Sequence, residues 1–115
     1  MSAKASRQVG IRRSAPLFAA LGDTTRLEIV SRLCANGPAS ITALTDGSGV
    51  TRQAVTKHLN VLSSAGLVRS AWRGRERVWE FEPKKLAEAR AHLDAITQQW
   101  DDALGRLKAF VEKDR

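Results

Sequence analysis

Two short stretches of the chain carry side chains able to read or grip a polyanion. The first is Thr51-Arg52-Gln53-Ala54-Val55-Thr56-Lys57-His58. Arginine can donate to both major-groove acceptors of guanine, glutamine can pair bidentately with adenine, and a threonine methyl can meet the methyl of thymine. The second is Arg73-Gly74-Arg75-Glu76-Arg77, three arginines in five residues around a glycine. Guanidinium groups at that density suit phosphate oxygens. Arg52, Gln53, Thr56 and Lys57 are therefore the candidate base contacts, and Arg73, Arg75 and Arg77 the candidate backbone contacts. His58 belongs to local hydrogen bonding beside them or to a phosphate.

Other chemistry lacks its residues. There is no nucleophile–base pair, no glycine-rich phosphate loop and no paired carboxylates in a plausible cleft, so the chain does not read as an enzyme. His92 and Asp94 are spaced to share a helix face, but no second histidine follows within three turns. Two donors do not complete a first-row metal site, so no metal and no cofactor are expected. Asp101 or Asp102 could complete such a set only across a subunit boundary. Cys34 is the single cysteine, which rules out an intramolecular disulfide and fits a reducing, cytoplasmic setting. Falling on one helical side with Leu27 and Val30, it reads as a small core hydrophobe.

The charge is concentrated where the candidate contacts are. The chain has 115 residues and a net charge of +7. Residues 1–15 contribute +4, residues 49–77 contribute +5, and each of the two remaining segments contributes −1. A basic patch of this kind favours double-stranded DNA as a partner. At 43% apolar and 27% charged, the composition is that of one folded domain. No apolar run approaches the ~20 residues of a membrane span, and the basic start has no apolar stretch of a signal peptide behind it.

The elements that would position these residues follow from capping and periodicity. Residues 1–14 read as a flexible basic tail and residues 15–113 as the domain. A first helix opens at Ser14, with Pro16 in its first turn, and buries Leu17, Phe18 and Leu21. Asp23 caps a second helix, which Asn36-Gly37-Pro38 ends. Ser40 caps a short third helix. Thr51 caps a fourth, from Arg52 to about Ala65, with Val55, Leu59 and Leu62 inward. At 100° per residue, Gln53, Lys57 and Asn60 then face outward. The period changes to two over Leu67–Arg73 and Arg75–Glu82, a hairpin around Gly74, with Trp79 and Phe81 on one face and Val78, Glu80 and Glu82 on the other. The expected fold is mainly α with a β-hairpin wing, a winged helix-turn-helix of order ααααββα.

A last helix over residues 83–112 has Leu86, Leu93, Trp100 and Leu107 seven apart. Ala89, Ile96, Ala103 and Phe110 follow each of them by three. That a/d heptad exceeds what so small a domain can cover, and predicts a homodimer seam.

The segments LFAALGDTTRLEIVSRL, VTRQAVTKHLNVLSSAGLV and RGRERVWEF resemble winged-helix repressors of the ArsR/SmtB type. The resemblance runs from about Pro16 to Phe81. It implies a homodimeric transcriptional repressor that releases DNA on a signal, its dimer formed by the first and last helices. Leu17 and Phe18 thereby join Leu86, Leu93, Ile96, Trp100, Leu107 and Phe110 as interface candidates. The cysteine pair that many relatives place at the third helix is absent from Ile41-Thr42-Ala43-Leu44-Thr45-Asp46. The Trp100-Asp101-Asp102 end resembles a subgroup without metal ligands. Two alternatives are a zinc-type metal-responsive repressor, and the same fold binding RNA or a protein.

Overall fold

The computed structural model describes residues 3–113, with side chains from Gly10 onward. Lys4 and Arg7 of the basic N-terminal segment lie outside the described side chains. The elements run α1 (Ala3–Leu21), α2 (Thr24–Asn36), β1 (Ala39–Ser40), α3 (Ile41–Thr45), α4 (Arg52–Ser64), β2 (Val68–Arg73), β3 (Glu76–Phe81) and α5 (Pro83–Lys113). This is the expected order with one addition. Residues 39–40 pair antiparallel with Trp79 and Val78, so the sheet has three strands in the order β1-β3-β2. Two residues are too few for an alternating pattern to announce a strand.

The core lies between α1, α2, α3, α4, the strand bases and the start of α5. Val55, Leu59 and Leu62 of α4 have no exposed surface, and Leu17, Leu44, Leu67 and Ala89 are buried with them. Each inward helix start is capped as read. Asp23 Oδ2 accepts from Arg26 N at 3.0 Å, Ser40 Oγ from Ala43 N at 3.1 Å, and Thr51 Oγ1 from Ala54 N at 3.1 Å.

Three expectations need correction. The first helix does not begin at Ser14: it begins at Ala3, and Ala3–Arg13 is helix rather than tail. Ala3, Ala5, Arg7 and Gln8 are strong helix formers. A Cβ on Gly10 would stand 3.1 Å from His92 Cε1, a mark of a close crossing of α1 and α5. Pro16 therefore sits inside the helix, where it removes one backbone donor. Second, Leu17 is buried within its own subunit and has no surface left for a partner, whereas Phe18 is exposed and Leu86 is half-buried beside the core. Third, Cys34 and Leu27 are exposed. The face of α2 that packs is Ile29, Val30 and Leu33, rotated about 100° from the one read from Leu27 and Cys34. On β3, Val78 is buried as well as Trp79, so both faces of that strand are covered there.

Candidate nucleic-acid interface

The inward stripe of α4 fixes its outward one. Gln53, Lys57 and Asn60 are all exposed, diametrically opposite Val55, Leu59 and Leu62. The flanks are less free. Arg52 Nη1 donates to Thr42 Oγ1 at 2.7 Å, tying the first turn of α4 to α3. Thr56 Oγ1 donates to Arg52 O at 2.8 Å, which uses its hydroxyl within the helix and leaves the methyl for an outside contact.

His58 stands on the flank away from this face and is half-buried against α2. Its Nδ1 lies 3.3 Å from Arg26 Nη1 and 3.8 Å from Asp23 Oδ2. Arginine can only donate, so at the Arg26 contact the ring nitrogen accepts. Arg26 Nε also donates to Ala20 O, at 2.6 Å. The cluster pins α4 to the α1–α2 corner. Of the two roles open to His58, local hydrogen bonding is the one seen in this geometry. The Arg26 amide bonded to Asp23, together with the Arg26 guanidinium charge, holds the Asp23 carboxyl below its ordinary value of 3.8.

The wing is set against α4 by the helix's C-terminal turn. Gly66 N donates to Ser63 O and Leu67 N to Leu62 O, both at 3.0 Å, the two bonds of a Schellman stop. Gly66 takes a left-handed φ of 79°, and a Cβ there would meet Lys85 Cγ at 2.9 Å. The chain therefore leaves α4 in one direction, straight into β2. At the far end a two-residue loop, Gly74-Arg75, joins β2 to β3, with φ of 63° at Gly74 and no other residue type at positive φ. That is the pattern of a type II′ hairpin turn.

Arg73, Arg75 and Arg77 are exposed on this wing, and none shares an ion pair among the described residues. Arg69 differs. It is held by Glu80 at 2.7 Å and Glu82 at 3.0 Å, which raise its pKa further and cancel its charge. Arg77 is partly engaged: its Cζ lies 4.9 Å from the Trp79 ring centre, and Nη2 donates to Ser70 Oγ at 2.9 Å. The sequence reading passed over Trp72, which is 71% exposed directly across the ladder from Arg77. An indole two residues before a turn glycine was the available signal.

A helix-turn-helix domain model matches residues 21–71. An HTH-type transcriptional regulator of Mycobacterium tuberculosis, Rv2034, is 42% identical over 95 residues, which cover 83% of this chain and 85% of that protein. An ArsR-like transcriptional regulator from Rhodococcus sp. RHA1 superposes with a TM-score of 0.76 at 36% identity, covering 86% of this chain and 92% of that one. The chain belongs to the ArsR family of winged helix-turn-helix transcriptional regulators. The arsenical resistance operon repressor of Bacillus subtilis is 34% identical over 76 residues, 66% of this chain and 72% of the repressor. In this ArsR-family chain, the expected order of helices, hairpin and final helix is the one found.

Proposed function

We propose that this ArsR-family regulator is a homodimeric repressor that binds duplex DNA through α4 and the wing, and that it is not an enzyme. The observation that carries the interface is the opposition on α4: three fully buried apolar residues set Gln53, Lys57 and Asn60 outward, beside a wing whose three arginines carry free charge. Gln53 and Lys57 read bases, Thr56 offers its methyl, and Arg52 braces the helix on Thr42 while presenting charge at the groove edge. Arg73, Arg75 and Arg77 hold the backbone. The repressor reading follows the relative from Bacillus subtilis, whose name is that of a repressor. The unit is residues 15–113, with residues 83–112 forming the dimer helix; Ala3–Arg13 belong to α1 ahead of it. Its setting is the cytoplasm.

The experiment is selection of bound duplexes from a genomic library, followed by a salt titration on the selected site. A dimer presents its arginines and lysines twice. With six to eight phosphate contacts, the log–log slope is expected near −5 to −7. Retained affinity with a slope near zero would exclude this electrostatic mode, and RNA bound in preference to duplex DNA would exclude the operator reading.

A further inference from the structure

Resting on the DNA reading above, we propose that Trp72 is a further contact of the wing, its indole lying flat against a deoxyribose of the DNA backbone. The residue is 71% exposed, the highest exposure of any large apolar side chain among the described residues. It shares a sheet face with Ser70, Arg77 and Trp79, since side chains alternate along each strand. Arg77 sits directly opposite and could have covered it. Instead the Arg77 guanidinium turns down the strand, over Trp79 and onto Ser70. The wing therefore leaves its outermost aromatic ring bare.

The surroundings select the occupant. Trp72 is the single exposed large apolar residue between Val68 and Phe81. A protein partner generally needs a contiguous apolar patch of some hundreds of Å², which one ring does not supply. What does surround it is charge, with Arg73 and Arg75 at the tip and Arg77 across the ladder. A polyanion matches that charge, and a furanose between two phosphates offers a flat apolar surface of ring size. Such a contact is blind to sequence and displaces no counterion.

The test compares Trp72→Ala, Trp72→Phe and Arg75→Ala in the full chain, on a random-sequence duplex and on a selected site, across salt. Trp72 buries little, so all three variants should melt with the wild type. Trp72→Ala is expected to weaken both duplexes about tenfold with the salt slope unchanged. Trp72→Phe should recover most of that loss, whereas Arg75→Ala should flatten the slope. If Trp72→Ala binds like the wild type while Arg75→Ala is weakened, the sugar contact is wrong and the DNA reading stands. A changed slope in Trp72→Ala, or a loss confined to the selected site, also overturns it. A wild-type chain that binds no duplex removes both readings together.

Discussion

In the proposed interface, Gln53 and Arg75 would hold the same polymer in different ways. Gln53 projects from a helix face fixed by three buried neighbours, so on the proposed DNA its amide would meet base edges in a defined register. Gln53→Ala is expected to relax preference at one base pair per half-site, costing about 1–3 kcal/mol there and nothing on random DNA. Arg75, at the hairpin tip, should when changed to alanine weaken all duplexes alike. Competition assays across single-base variants of one site distinguish the two, and identical profiles would sink the division. Gln53 and Lys57 were legible because a 100° rotation from an apolar stripe locates them. His58 was not, since its place depends on Arg26 and Asp23, more than thirty residues away in sequence. Asp23 carries a second prediction. Its carboxyl has a lowered pKa in the folded state, so the stability it lends is full above its unfolded value of 3.8 and is lost as pH falls through the lower folded one. Asp23→Asn keeps a competent cap but cannot ionise. Melting temperature followed from about pH 5 to pH 2 should fall less steeply in the variant than in the wild type. Equal acid limbs would show that the carboxylate's charge does no stabilising.

Among the elements, α5 departs furthest from what one subunit can satisfy. Its first turns lie on the core through Leu86 and Ala89. Beyond them Leu93, Ile96, Trp100, Leu104, Leu107, Phe110 and Val111 are 46–66% exposed along one side. A second copy of the helix is the simplest cover for a stripe of that length. Ile96→Asp puts an unpaired charge into that seam, where burial costs several kcal/mol. The expected outcome is a folded monomer by ultracentrifugation that no longer binds its selected site. A variant that remains dimeric would move the interface to α1 and Phe18. The heptad made this helix readable from its first turn to its last. The start of α1 was not readable, because Pro16 imitates a first-turn residue and the α1–α5 crossing at Gly10 joins residues some eighty apart in sequence. α2 failed in another way: Leu27, Val30, Leu33 and Cys34 make a valid stripe, yet Ile29 wins one side because the core lies there. Periodicity gives the existence of a face more securely than its direction.

At the scale of the molecule, the subunit measures 70 × 35 × 20 Å, drawn out by α5. A dimer joined along that helix would carry two copies of α4 to half-sites about one helical turn apart. In the proposed repressor, whatever releases DNA would act on that spacing or on the wing. Zinc is the obvious candidate within such a family, and the residues here argue against it. Among the described residues no three of His, Cys, Asp and Glu come together. His92 packs close to Gly10 on α1, and Cys34 lies on α2. Zinc needs three or four donors to be held tightly near neutral pH. Stoichiometric zinc under reducing conditions is therefore expected to shift affinity for the selected site by less than about 1 kcal/mol, below the usual range of allosteric coupling. The variants separate the ways in which this could be wrong. A larger shift abolished by His92→Ala would place a cross-subunit site on α5, with Asp94, Asp101 or Asp102 as partners. A larger shift abolished by Cys34→Ser would implicate the thiol, and because Cys34 is already exposed, such a switch would need no opening of the core. With both variants and the wild type unmoved by zinc, any release of DNA has to come through something other than zinc, such as a ligand at the apolar seam of α5.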